Sequence, residues 1–283
     1  MAYNTLISTM DLHQHLDDPN WVIVDCRFDL QKPEWGRAGY LSAHIPGAVY
    51  AHLDQDLASP KKPNSGRHPL PAPQAMINLF SGWGIDSDRQ VIVYDNSGGS
   101  FAARLWWLLR YYGHASVAIL NGGFQKWTIE NLPVESGPVT RTTKPFVPGT
   151  PLEMLLDTQQ IEQLLGNPDY RLVDARSETR FRGEEEVIDP VAGHIPGALN
   201  RFYGLNLAPD GTFLSPEELK KQFSHLLGVT PSDHAIIYCG SGVTSCHHLV
   251  AMLYAGLPES ALYVGSWSEW IRDPRHPFAT GNP

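Results

Sequence analysis

The sequence predicts two α/β domains in tandem, each a small parallel sheet with helices on both faces. Three observations lead there. The chain has 283 residues, more than one hydrophobic core commonly organises and comfortable for two domains. Several sequence blocks occur twice in the same order. Within each half, short apolar runs alternate with helical patterns, which is the signature of strands joined by crossover helices.

The elements can be taken in order. Val22-Ile23-Val24-Asp25-Cys26-Arg27 returns as Leu172-Val173-Asp174-Ala175-Arg176. His44-Ile45-Pro46-Gly47-Ala48 returns as His194-Ile195-Pro196-Gly197-Ala198. Val91-Ile92-Val93-Tyr94-Asp95 answers to Ala235-Ile236-Ile237-Tyr238-Cys239, and Gly122-Gly123-Phe124 to Gly265-Ser266-Trp267. The copies keep a separation of about 143 to 150 residues, so they record a duplication of the whole unit. Runs 22–25, 91–94 and 117–120 read as strands, as do 172–174, 235–238 and 261–264. Apolar runs without alternation suit strands covered on both faces. Residues 101–112 read as a helix closed by Gly113, and 243–255 as one closed by Gly256. From Gly137 to Gly149, three prolines and two glycines in thirteen residues mark an extended connection. The expected division is therefore an N-terminal domain over 1–137, a linker over 138–150 and a C-terminal domain over 151–283.

Composition narrows the function classes. Hydrophobic residues at 42% and charged residues at 18% describe a well-cored globular chain. Thirty acidic against 21 basic side chains leave a net charge of −9, which argues against nucleic acid as the partner. No apolar stretch reaches the roughly 18 residues of a membrane span, and residues 1–10 carry no secretory pattern. Cysteine is sparse and odd in number (Cys26, Cys239, Cys246), which suits a reducing, cytoplasmic setting rather than a disulfide framework. His247 and His248 adjoin Cys246, but neighbouring side chains on a helix diverge, so no metal site is expected.

Chemistry is expected at Cys239. Ligands of parallel α/β sheets bind beyond the carboxyl ends of the strands, and Cys239 stands at such an end. It is followed by Gly240-Ser241-Gly242-Val243-Thr244 and then a helix. Two glycines permit a curved loop whose N–H groups converge, and the helix start adds partial positive charge. Both favour a thiolate, so the Cys239 pKa is expected below that of a free cysteine. Cys26 and Cys246 are expected to be buried packing residues. The first half is its own control. Asp95 stands where Cys239 does, so that half is expected to lack cysteine chemistry.

These blocks together resemble the rhodanese superfamily, specifically its tandem-domain sulfurtransferases. The marks are the doubled His-Ile-Pro-Gly-Ala, the Asp-x-Arg after the first long strand of each half, and the Cys239 loop. The resemblance implies two rhodanese-like domains, with one active cysteine in the second that carries sulfur as a persulfide. It implies a small anionic sulfur donor, a thiol, protein-thiol or cyanide acceptor, and no metal or organic cofactor. Cys-Gly-Ser-Gly-Val-Thr is similar to the loop of 3-mercaptopyruvate sulfurtransferases, whereas thiosulfate sulfurtransferases carry basic residues there. Gly240, Gly242, Val243 and Thr244 then belong to the donor cradle. The family's carboxylate-binding pair of arginines is matched once, by Arg180 in Thr179-Arg180-Phe181-Arg182. The following Glu184-Glu185-Glu186-Val187-Ile188-Asp189 holds no second arginine, leaving Arg182 or Arg201 as candidates. A Ser-His-Asp relay described for some members maps onto Ser241, His68 and Asp54. For His68 the alternative is a loop-packing role, and for His44 and His194 a structural role is expected. The rival readings are a cysteine phosphatase, disfavoured because Thr244 stands where an arginine is needed, and a non-catalytic binding module, disfavoured by the Cys239 loop.

Overall fold

The computed structural model describes residues 2–282. The chain divides into two compact units. One holds the chain up to Ser59, then Leu70–Leu152 and Leu207–Phe213, and the other holds Pro60–Pro69, Glu153–Asn206 and everything from Leu214 onward. Two short segments thus leave the half in which they lie in sequence, a feature that composition does not signal.

The first unit is built on β1 (Leu6–Ile7), β2 (Trp21–Asp25), β3 (Val49–Tyr50), β4 (Gln90–Tyr94) and β5 (Val117–Leu120). They form one sheet in the order β1-β5-β4-β2-β3, and every pair is parallel. The second unit repeats the plan with β6 (Met154–Leu156), β7 (Arg171–Asp174), β8 (Leu199–Asn200), β9 (Ala235–Tyr238) and β10 (Ala261–Tyr263), ordered β6-β10-β9-β7-β8 and again parallel. The long inner strands agree with the apolar runs. The four edge strands have only two or three residues each, too few for periodicity to register.

The middle strands β4 and β9 are buried along their whole length, as strands covered on both faces must be. The helices that follow them, Ala102–Tyr111 and Ser245–Tyr254, are nearly as buried. Both are enclosed by the fold, with Arg104, Arg110, His247 and His248 buried among their apolar side chains. Ile23, Ile92, Tyr94, Ala118 and Trp127 centre the first core, and Ile236, Tyr238, Phe181, Tyr263 and Trp267 the second.

The repeated polar motifs lock each sheet to its neighbouring turn. At the end of β2, Asp25 takes a bidentate bond from Arg27, whose Nη2 also donates to the Ala43 carbonyl at 2.6 Å. Tyr94 donates its hydroxyl proton to Asp25 at 2.8 Å and accepts the Ile45 N–H at 3.2 Å. The second unit has the same lock. Arg176 clasps Asp174 and donates to the Gly193 carbonyl at 2.7 Å, and Tyr238 accepts the Ile195 N–H at 3.3 Å. The histidines of both His-Ile-Pro-Gly turns belong to this scaffold. His44 Nδ1 lies 2.7 Å from the Tyr40 carbonyl, and His194 Nδ1 lies 2.8 Å from that of Phe181, whose ring it stacks on.

Asp174 and Arg176 are both buried, so removing one charge strands the other. Asp174→Ala is expected to lower the unfolding free energy by about 3–5 kcal/mol, measured as a shift in the urea midpoint.

Candidate active site

The loop after β9 begins at Cys239 and ends where the helix Ser245–Tyr254 starts. The Cys239 carbonyl accepts the Trp267 N–H at 3.0 Å, and the Gly240 carbonyl accepts that of Ser268 at 2.9 Å. With both carbonyls bonded there, the N–H groups of Ser241 and Ser245 are left to the Cys239 sulfur. Gly242 has a φ of +74°, and a Cβ there would strike the Val264 carbonyl, so glycine is required on both counts. Val243 is buried, and its carbonyl accepts the Cys246 N–H at 3.1 Å, closing the turn.

Cys239 itself is 1% exposed. Burial pushes its thiol pKa up. The hydroxyls of Ser245 and Thr244 and the N–H groups of Ser241 and Ser245 outweigh burial and hold it below the ordinary cysteine value. Among the described residues Ser245 Oγ is buried without a hydrogen-bond partner, so its proton is free to turn to the sulfur. Cys26 is the contrast. Burial and the neighbouring Asp25, Asp95 and Asp56 drive its thiol well up, so it is inert. Cys246 is fully buried and donates to the Gly242 carbonyl at 3.5 Å.

The matching loop of the first unit shows what this geometry holds. There the Asp95 carboxylate accepts four backbone N–H bonds, from Ser97, Gly99, Phe101 and Ala102, at 2.7 to 2.9 Å. The fold therefore presents an anion cradle at this place in each unit, filled by a fixed carboxylate in one and by a cysteine in the other.

Ser266 escaped the sequence analysis. Its Oγ accepts the Cys239 N–H at 3.1 Å and donates to the Tyr263 carbonyl at 2.9 Å. It does so with a φ of 54°, in the left-handed region, a conformation that costs about 1–2 kcal/mol for a non-glycine residue. The repeat supplies the signal that could have found it. Gly123 occupies the same place in the first half with a φ of +59°, and there a Cβ would strike the Asp95 carbonyl.

Ser241 and His68 are brought together. His68 Nδ1 lies 2.7 Å from Ser241 Oγ, and both residues are buried. Pro60–Pro69, which carries His68, belongs to the second unit. It is tied there by Arg67 N–H to Ser268 Oγ at 3.0 Å and by Arg272 Nε to the Ser65 carbonyl at 3.3 Å. Asp54 lies in the first unit on the single helical turn Leu53–Asp56, with its N–H donated to His52 Nδ1 at 3.2 Å.

Arg180 lies where the motif puts it, beside the Cys239 loop. Its guanidinium donates to Glu186 at 2.9 to 3.2 Å and to Asp189 Oδ2 at 3.0 Å. Burial raises the Glu186 carboxyl pKa. N–H bonds from Asp189 and Ile188 and the Arg180 charge outweigh burial and hold it low, so Glu186 is ionised. Neither expected second arginine is near. Arg182 pairs with Glu178 and Glu184 on the surface. Arg201 is buried against Asn206, Gln222 and the Phe223 ring, and desolvation brings its pKa down to about 10. The second guanidinium beside the loop is that of Arg67, which pairs with Asp189 Oδ1. A Cβ on Gly240 would lie 2.5 Å from Arg67 Nη2 and 3.6 Å from Arg180 Nη1. Arg67 adjoins His68 in sequence, so the relay motif was also the pointer to it.

The family model of the rhodanese-like domain matches residues 8–130 and 157–273. A probable 3-mercaptopyruvate sulfurtransferase of Pseudomonas aeruginosa is 45% identical over the full length of both chains. Thiosulfate sulfurtransferase of Bos taurus is 34% identical over 96% of this chain and 93% of its own. The structure of 3-mercaptopyruvate sulfurtransferase from Leishmania major superposes with a TM-score of 0.81 at 30% identity, covering 94% of this chain and 74% of that one.

The hydrogen bonds to Cys239 fix the sign of its pH dependence. Because its pKa is lowered, the thiolate persists below the free-cysteine value of about 8.5 and is lost only as pH falls through the depressed one. The thiolate ultraviolet absorbance, taken as the difference between the native chain and Cys239→Ser, should titrate below that value. Ser245→Ala should move the midpoint up.

Proposed function

This chain belongs to the family of rhodanese-like domains, with one in each half, and we propose that it is a sulfurtransferase working through a persulfide on Cys239, with 3-mercaptopyruvate as the favoured donor. The observation that carries the proposal is the cradle. A buried thiol at the end of β9 is surrounded by hydrogen-bond donors that stabilise an anion. Such a site activates the sulfur as a nucleophile and then holds it as a persulfide anion.

The reaction is a double displacement. The Cys239 thiolate attacks the sulfur of 3-mercaptopyruvate, the S–S bond forms and the C–S bond breaks. The electron pair of that bond goes to carbon, giving the enolate of pyruvate. The proton of the donor thiol is transferred to this carbon, leaving Cys239 as a persulfide anion and releasing pyruvate. With thiosulfate, the outer sulfur is transferred and sulfite leaves with the bonding pair, and no proton moves. A thiol, a protein cysteine or cyanide then takes the outer sulfur and restores the thiolate. Ping-pong kinetics follow.

The neutral loop supports mercaptopyruvate over thiosulfate, since Gly240 and Ser241 add no positive charge for a dianion. Ser241 and His68 form the proton path to the leaving carbon. Arg180 binds the donor carboxylate. The first unit, with Asp95 in its cradle, serves as a non-reacting partner domain.

Two outcomes test this. Cys239→Ser should abolish transfer to cyanide, and the native chain incubated with donor should gain the mass of one sulfur atom. His68→Gln and Ser241→Ala should reduce turnover of mercaptopyruvate by about 10²- to 10⁴-fold while leaving thiosulfate within about threefold, because only the first leaving group needs a proton. Equal losses with both donors would remove the relay.

A further inference from the structure

Three guanidiniums and three carboxylates meet on one side of the Cys239 loop. Asp174 is clasped by Arg176, which also lies 3.5 Å from Glu186. Glu186 and Asp189 both take bonds from Arg180, and Asp189 bridges to Arg67. The carboxylates of Glu186 and Asp189 are 3% and 2% exposed, against 16% for both Arg180 and Arg67. The carboxylates are thus closed off behind the two guanidiniums, whose outer edges face Gly240. Arg67 Nε is buried without a hydrogen-bond partner among the described residues, so its donors are not used up by Asp189.

On the sulfurtransferase reading above, we propose that Arg67 is the second cation of the donor site and that Asp189, shared between Arg67 and Arg180, sets the charge of the donor accepted. Two planar forks held side by side suit an anion with two or more oxygens. Without Asp189 and Glu186 they would present two positive charges and favour a dianion. With both carboxylates fixed behind them, Arg180 keeps its Nη1 donors and Arg67 its Nη2 donors toward Gly240, while the pair loses most of its net field. A monoanionic carboxylate then gains hydrogen bonds at little desolvation penalty. A dianion loses more hydration than a balanced site returns. Arg67 and Asp189 are specificity residues on this account, while Cys239 does the chemistry.

The test is equilibrium binding of pyruvate and of sulfate, by calorimetry, to chains that carry Cys239→Ser and so cannot turn over. Against that background, Asp189→Asn is expected to tighten sulfate by about tenfold and pyruvate by less than threefold, because one net positive charge has been added. Arg67→Gln is expected to weaken both about tenfold, and Arg67→Lys to recover part of the sulfate affinity but little of that for pyruvate, since charge returns without the fork. In the Cys239-containing chain the same substitutions should move KM for the donors rather than kcat. The inference is overturned if folded Asp189→Asn leaves the pyruvate-to-sulfate ratio within twofold of its parent. It is equally overturned if Arg67→Gln and Arg67→Lys bind both anions as the parent does, which covers the case in which Asp189→Asn does not fold. A chain that transfers sulfur from neither donor yet shows these binding shifts would remove the sulfurtransferase reading and leave the anion site standing.

Discussion

Each unit depends on one constraint: the loop that leaves its middle strand must point several N–H groups at one buried place. Buried N–H groups need acceptors, and several converging donors need an anion or its equivalent. In the first unit Asp95 supplies both carboxylate oxygens to four N–H groups. In the second, the Cys239 sulfur takes that place with Thr244 and Ser245 adding hydroxyls. The rest of each unit serves this arrangement. The parallel order puts the loop beside the carboxyl ends of the neighbouring strands, the buried helix that follows anchors its far end, and the Asp-Arg-Tyr lock keeps the adjoining turn in register. The two loops differ in what fills the cradle. A fixed carboxylate satisfies it permanently, whereas a thiolate satisfies it and remains a nucleophile.

The duplication made much of this legible in the sequence. Apolar runs with a common spacing gave the inner strands, and a repeated polar residue between them meant a buried partner in both copies. Asp25 with Arg27, and Asp174 with Arg176, are such pairs. Cys239 was legible because it ends a strand ahead of a two-glycine loop and a helix start, and Asp95 at the matching place marked the other half as lacking cysteine chemistry. The edge strands were not, since two residues carry no period. Nor was the placement of Pro60–Pro69 and Leu207–Phe213, because short turn-rich segments pack through a few specific bonds and not through an apolar stripe. The second guanidinium beside the loop, that of Arg67, lies outside the motif of Arg180. It sits more than a hundred residues earlier, and only the fold of the second unit brings it there. Ser266 was hidden for a different reason: a left-handed serine contradicts local preference, and its bonds to Cys239 and Tyr263 show only in the fold.

The means of stabilising the sulfur anion has a chemical consequence on the proposed reaction. A cysteine can be activated by a neighbouring cation or by neutral hydrogen-bond donors. Here the contacts that lower its pKa are hydroxyls and backbone N–H groups, and the nearby guanidiniums are matched by carboxylates. Hydrogen bonds are short-ranged and directional, so they follow the sulfur that bears the charge, while a cation would also hold a departing anion such as sulfite or an enolate. Neutral stabilisation therefore favours the charged nucleophile without favouring retention of the product. It is also weakly screened by salt, since Cys239 is buried. A loop of this kind separates two tasks that a basic loop would merge. The cradle keeps the sulfur anionic before and after transfer, and the balanced arginine pair orients the donor by geometry rather than by net charge.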